Sequence, residues 1–137
     1  PVLRPGRGLV AITPAAGFVT PGSAVVIGGI AGLACYWGAT GLKRLLQADD
    51  SLDVFGVHGI GGIVGSLLTG LLASPVVSGV QGSVATQALA TLVVLAYGAV
   101  MSALLLIVIR KLVGLRVDES AEQTGLDIAQ HRERIGT

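Results

Sequence analysis

Four apolar stretches, separated by polar or turn-forming residues, dominate the chain. The first runs from about residue 8 to 19 and is interrupted by Pro14, and the others run from about 21 to 46, 51 to 73 and 84 to 112. An α-helix rises about 1.5 Å per residue, so about 20 apolar residues cross a hydrocarbon core of ~30 Å. The last three stretches are therefore predicted to be transmembrane helices. The first is too short to span and is predicted to be the end of a helix.

Basic residues lie at alternate ends of these stretches. They precede the first stretch, end the second and end the fourth: Arg4, Arg7, Lys43, Arg44, Arg110, Lys111 and Arg116. The turn at 20–22 and the loop at 74–83 carry none. Because cytoplasmic loops are enriched in Lys and Arg, the basic ends are predicted to face the cytoplasm. This divides the chain into a transmembrane region, 1–113, and a cytoplasmic tail, 114–137.

The composition supports a membrane protein. Hydrophobic residues make up 52% of the 137 residues and charged residues 12%, whereas soluble domains are about one quarter charged. The formal net charge of +1 gives no indication of nucleic-acid binding. The single cysteine, Cys35, excludes an intrachain disulfide and is interpreted as a small buried core residue. An all-α membrane protein in contact with lipid is the predicted class.

Glycine is frequent and is spaced for close helix packing. Two small-xxx-small patterns, Gly28 with Gly32 and Gly61 with Gly65, occur among the 21 glycines. Such patterns let helix backbones approach closely in lipid. They favour a tightly packed bundle, although ordinary helix contact without meaning for oligomerisation is the alternative.

The segment "DDSLDVFGVHGIGGIVG", residues 49–65, places acids and a histidine at the start of the third apolar stretch. Asp50 and Asp53 stand three residues apart where the helix is expected to begin. Carboxylates at that position accept hydrogen bonds from free N–H groups and lie at the positive end of the helix dipole. A structural role as helix caps is therefore predicted for both acids.

His58 is the one residue among Lys, Arg, His, Asp and Glu between Val54 and Ile109. Helical counting places it on one face with Val54 and with Gly61, Gly62, Gly65 and Thr69. An ionisable side chain at membrane depth is costly to bury unpaired, which makes His58 a candidate functional residue facing the bundle. The alternative is a neutral histidine with one hydrogen bond to a neighbouring helix. No ligand set for a metal, no cofactor motif and no nucleophile–base pair accompanies it, so an enzyme is not expected.

Several strings together resemble the ammonium transporter (Amt/Mep) family. "DDSLDVFGVHGIGGIVGSLLTG" resembles the tenth-helix motif of that family, and "GLACYWGATGLKRLL" is similar to its ninth helix. "GLVAITPAAGFV" resembles the end of the eighth helix, and residues 84–112 resemble the eleventh. The tail "VGLRVDESAEQTGLDIAQH" is similar to the cytoplasmic C-terminal region.

The resemblance implies a fold, a substrate and a set of site residues. Family members have eleven helices, two inverted five-helix repeats among them, and form trimers in the cell membrane with one apolar pore per subunit. Two histidines, one from each repeat, meet in the pore, and His58 matches the second. Val54 and Thr13 match positions along the path of ammonium or ammonia, and Asp50 matches an acid at the helix start in both repeats.

The resemblance also implies a regulatory tail. Gly114, Arg116, Gly125 and Asp127 match the family's C-terminal region, which contacts neighbouring subunits and receives a PII-type signal protein. A solvated and partly disordered end is the alternative that composition alone favours.

Three functions remain open at this point. The leading hypothesis is an ammonium/ammonia channel-transporter, of which this chain is the C-terminal portion. A sensor or regulatory membrane protein of the same fold is the second, and a truncated fragment inactive on its own is the third. Counterparts of the family's earlier helices, with their histidine and aromatic gate, do not occur in the sequence, so the 137 residues are not expected to enclose a pore alone.

Overall fold

The computed structural model describes residues 6–47 and 53–131, and every regular element in that part of the chain is helical. The α-helices are α1 (Gly6–Ile12), α2 (Pro21–Trp37), α3 (Lys43–Leu46), α4 (Ile60–Leu72), α5 (Pro75–Ser78), α6 (Val84–Leu112) and α7 (Glu119–Thr124). A 3-10 turn covers Thr13–Ala15, and π-helical turns cover Gly38–Leu42, Phe55–Gly59 and Asp127–His131.

Three helical segments are long and apolar enough to cross a membrane. They are Pro21–Leu45, Phe55–Leu72 and Val84–Leu112, with mean hydropathies of 1.6, 1.6 and 2.8. The predicted class, an all-α membrane protein, is confirmed. The short first stretch forms α1 and the 3-10 turn, after which Gly17 has a φ of +81°.

The start of α2 follows directly from its sequence. Thr20 has extended backbone angles, and its side-chain oxygen accepts a hydrogen bond from the Ser23 N–H at 3.4 Å. Pro21 occupies the first turn, where a missing N–H costs nothing and a fixed φ suits the helix. The uncharged turn after the first stretch therefore ends at a well-specified helix start.

The chain divides into two compact units, Pro1–Val94 and Leu95–Thr137. The described core of the first unit is built from small residues: Ala11, Ala15, Ala31 and Cys35 are fully buried, together with Ile27. With so little side-chain volume between them, α1, α2 and α4 pack with their backbones close together. This is the packing that apolar helices use in lipid, where small residues permit close van der Waals contact.

Gly61 and Gly65 are the contact points of α4. A Cβ on Gly65 would collide with the backbone of Ala11, and a Cβ on Gly61 would lie 2.9 Å from Sγ of Cys35. By contrast, a Cβ on Gly28 or Gly32 would meet no atom within 4 Å in the described part of the chain. Of the two small-xxx-small patterns, the one on α4 therefore makes close contact within this unit.

The two π turns of the first unit touch each other. A Cβ on Gly56 would lie 2.6 Å from the backbone nitrogen of Ala39 and 2.7 Å from its Cα. On the other side, a Cβ on Gly38 would lie 3.0 Å from the carbonyl oxygen of Gly56. The backbones thus cross where both helices depart from regular α geometry, so glycine is required at Gly56.

Helix α6 is apolar on all sides and has no buried residue. Its apolar side chains are largely exposed, for example Val94 at 68% and Leu105 at 57%. An all-round apolar helix is typical of a membrane span. In the second unit the helix ends at Leu112, and the N–H of Gly114 donates to the carbonyl of Ile109 at 3.1 Å.

Candidate functional site

His58 lies in the π turn Phe55–Gly59, and its side chain is exposed. Val54 and Phe55, which precede it, are also about half exposed, at 52% and 53%. The π turn therefore presents an imidazole and two apolar side chains at a surface that the first unit does not cover. The exposed side of the turn thus combines one ionisable ring with apolar side chains.

The π turn changes the face on which His58 lies. Regular α-helical counting placed His58 with Gly61 and Gly65, but in the structure the buried positions are Gly56, Gly61, Gly65 and Thr69. The spacing between the first two is five residues because a π turn holds one more residue than an α turn. The buried face of this helix thus includes Gly56 and not His58. The prediction that His58 lies on the same face as Gly61 and Gly65 is wrong.

Hydrogen bonds around Val57 define the π turn. The N–H of Val57 donates to the Asp53 carbonyl at 2.9 Å, and the N–H of Ile60 donates to the carbonyls of Phe55 and Val57. The thiol of Cys35, on α2, donates to the same Val57 carbonyl at 3.5 Å. The peptide immediately before His58 is therefore held by its own helix and by the neighbouring one.

The ring of Phe55 lies over Gly59 on the other side of His58. A Cβ on Gly59 would lie 2.9 Å from Cδ2 of Phe55. Glycines at positions 56 and 59 thus serve two different contacts, one with the backbone of Ala39 and one with an aromatic ring. Between these contacts His58 occupies the exposed side of the turn.

Asp53 connects the start of this helix to the end of the preceding one. Its carboxylate accepts a hydrogen bond from Nζ of Lys43 at 3.1 Å, and each side chain is about one third exposed. Asp53 has a φ of +56°, a left-handed conformation that aspartate tolerates better than most residues. A partly exposed ion pair contributes about 1 kcal/mol or less. The cap role stays a prediction, and Asp50 lies outside the described residues.

Thr13 lies in the 3-10 turn after α1, with an exposed side chain. Its hydroxyl donates to the carbonyl of Leu9, one turn earlier, at 3.1 Å. Ala11 and Ala15 on either side of it are fully buried. Thr13 is thus on the side of this segment away from the core, and its place on a substrate path stays a prediction.

The tail residues matched by sequence lie at defined backbone positions of the second unit. Gly114 and Gly125 both have left-handed φ angles, +91° and +94°, on either side of α7. Glycine is favoured there because a Cβ would be strained. Asp127 begins the π turn Asp127–His131. Within the described part of the tail, α7 and the π turn Asp127–His131 are helical, and the two glycines flank α7.

Arg116 forms a bidentate ion pair with Glu122. Its Nε and Nη2 donate to the two carboxylate oxygens at 2.5 and 2.8 Å. These hydrogen bonds hold the pKa of the Glu122 carboxyl below its ordinary value. The stabilisation is thus present above the unfolded pKa of about 4.3 and is lost as the pH falls through the lowered folded value. At neutral pH the pair joins the start of the tail to α7.

A family model described as the Ammonium Transporter Family matches residues 7–135. The chain belongs to the ammonium transporter family. It is 42% identical over 134 residues to an ammonium transporter of Aquifex aeolicus, covering 93% of this chain and 31% of that protein. It is 41% identical over 133 residues to ammonium transporter Amt1 of Archaeoglobus fulgidus, covering 92% and 34%.

A solved structure of the family has the same fold. The crystal structure of Saccharomyces cerevisiae Mep2 aligns with a TM-score of 0.75 and 37% identity, covering 84% of this chain and 29% of that one. The chain thus spans about a third of the length of the curated relatives it matches. Membership in a family of transporters also agrees with the expectation that the chain is not an enzyme.

His58 was singled out from the sequence, and its role stays a prediction, but the residues that contact its turn were not. Gly56 was not singled out, and Cys35 was interpreted as ordinary core. A signal for Gly56 existed in the five-residue interval to Gly61, which fits a π turn. Nothing in the sequence alone indicates that the Cys35 thiol reaches the Val57 carbonyl.

Proposed function

We propose that this chain is the C-terminal portion of an ammonium/ammonia channel-transporter and supplies one wall of its pore. The observation that carries the proposal is the exposed imidazole of His58. The sequence from Val54 to Ile109 is otherwise free of charged residues. Family membership adds the substrate class. Val54 lies one turn before His58 and forms part of the same wall, with Thr13 as a further position along the path.

The chemistry of the substrate explains why a histidine is useful there. Ammonium is small, charged and strongly hydrated, so an apolar pore rejects it. Neutral ammonia can cross such a pore after a proton is removed. A histidine side chain can both accept and release a proton near physiological pH. In the proposed pore His58 faces the histidine of the other repeat, and the two imidazoles form a polar track between apolar walls.

The proposed assembly is a homotrimer in the cell membrane with the tail in the cytoplasm. The basic residues at the ends of the apolar stretches support this orientation through the positive-inside rule. The uncovered apolar surface of α6 supports contact with lipid or with other helices. Within the tail, the segment from Gly114 to Asp127 is the proposed docking site for a PII-type signal protein.

The function is tested by growth. The complete gene product should restore growth on limiting ammonium to a cell that lacks ammonium transporters. Residues 1–137 expressed by themselves should not, because three spanning helices cannot enclose a pore. If the complete product is present in the membrane and growth is not restored, the transporter proposal is contradicted and the sensor hypothesis is favoured.

Truncation separates the role of the tail from that of the transmembrane region. Ending the complete gene product after Gly114 should abolish binding of a PII-type protein, measured by co-sedimentation with membranes. Ending it after His131 keeps the segment from Gly114 to Asp127 and should preserve that binding. Equal binding by both truncated proteins would place the docking site elsewhere.

A further inference from the structure

Cys35 is fully buried, and its sulfur is enclosed by the helix that carries His58. The thiol donates to the carbonyl of Val57 at 3.5 Å. The absence of a side chain at Gly61 leaves room for the sulfur, since a Cβ there would lie 2.9 Å from Sγ. The sulfur thus contacts this helix on both sides of His58, at the residue before it and at the third residue after it.

The Val57 carbonyl lies where the helix departs from α geometry. The N–H of Ile60 is directed to two carbonyls, those of Phe55 and Val57, so hydrogen bonding along the turn is shared. A second donor from outside the helix stabilises the Val57 carbonyl in this arrangement. A carbonyl group that is partly shielded from water gains from such a donor.

The π turn decides where the imidazole lies. With the extra residue of the turn, Gly56 joins the buried face and His58 is exposed. With regular α spacing, His58 would return toward the face of Gly61 and Gly65, which α1 and α2 cover. A contact that stabilises the π turn therefore controls the direction of the imidazole.

We infer that Cys35 is a positioning residue for His58, acting through the Val57 carbonyl and the π turn. In this role the thiol acts as a hydrogen-bond donor. Its role is to hold the peptide before His58 so that the imidazole remains on the exposed side. This inference rests on the proposed function, since the effect is read through ammonium transport.

The test compares side chains with and without a donor at position 35 of the complete gene product. Cys35→Ala removes the donor and should lower ammonium flux into reconstituted vesicles by roughly two- to tenfold, the range that loss of one hydrogen bond gives. The midpoint of the flux-against-pH profile should also shift, because the imidazole changes its surroundings. Cys35→Ser retains a donor and should resemble the wild type in both measurements.

Thr69→Val is the matched control. The Thr69 hydroxyl is buried on the same helix and donates to the Gly65 carbonyl at 2.7 Å, more than two turns beyond His58. Its loss removes a comparable hydrogen bond without touching the π turn, so the pH profile should not move. Cys35→Val also removes the donor and fills the site with two methyl groups in place of the sulfur, which provides a second variant if Cys35→Ala does not fold.

Four results would overturn the inference. The first three are an unchanged pH profile in folded Cys35→Ala or Cys35→Val, an equal shift in Thr69→Val, and a folded Cys35→Ser that behaves like Cys35→Ala. The fourth is that only the donor-containing proteins fold, which would show that Cys35 acts in folding. Flux by the wild type in the same vesicles tests the proposed function separately.

Discussion

Replacing His58 by alanine in the complete gene product should lower ammonium flux by roughly a hundredfold, the lower end of what a positioned proton-transfer group contributes. The variant keeps the π turn, because the contacts that define it involve Gly56, Val57 and Cys35 rather than the imidazole. The expected defect is therefore in transport and not in folding. It is measured as ammonium flux into vesicles containing equal amounts of folded protein.

The second histidine of the chain provides the control. His131 ends the π turn of the tail, outside the three candidate spans. His131→Ala makes the same chemical change there and should leave the flux unchanged. If flux and selectivity of His58→Ala equal those of the wild type, His58 does not line the path.

Gly65→Ala should destabilise the protein more than any other single methyl group added to α4. The new Cβ would overlap the backbone of Ala11, which cannot move aside as a flexible side chain can. Overpacking of this kind costs roughly 1–3 kcal/mol or more. The expected result is a lower melting temperature in detergent and a smaller folded fraction.

Gly62→Ala is the matched control for this substitution. Gly62 lies three residues earlier in α4, and a Cβ there would meet no atom within 4 Å in the described part of the chain. Alanine also favours the helix over glycine by about 1 kcal/mol. Gly62→Ala should therefore keep or raise the melting temperature. Equal destabilisation by the two variants would show that α1 does not pack on α4 at Gly65.

The membrane-spanning helices could be predicted because hydropathy sums along the chain and depends on no tertiary contact. Long uncharged apolar runs identify a span whatever its packing, and the three candidate spans fall within the stretches read from the sequence. The close contacts of Gly61 and Gly65 also followed a known spacing. The sequence contains a second pattern of the same spacing, at Gly28 and Gly32. It could not show which of the two patterns makes close helix contacts, because those contacts are tertiary.

The face of His58 could not be predicted because counting assumed an unbroken α-helix. One extra residue in a turn rotates the side chains before the turn, about the helix axis, relative to those after it. The cause is long-range: the backbone of Ala39 contacts Gly56, and the Cys35 thiol contacts Val57. These partners lie 17 and 22 residues away in sequence. His58 stood out in the sequence as an ionisable residue in an apolar stretch, but the direction of its side chain depends on these packing contacts.

The acids at the helix start illustrate the same limit. Asp53 was predicted to cap N–H groups of its own helix, and its carboxylate also meets the Lys43 ammonium of the preceding helix. Lys43 had been interpreted only as a marker of the cytoplasmic end. A basic residue near the end of one helix thus pairs with an acid at the start of the next.

The most direct test of the central claim is ammonium-driven pH change in sealed vesicles that contain the purified complete gene product and an internal pH indicator. An inward ammonium gradient should change the internal pH faster with the wild-type protein than in protein-free vesicles, and His58→Ala should remove most of that acceleration. If folded wild-type protein leaves the rate of internal pH change equal to that of protein-free vesicles, the proposed transport function is contradicted.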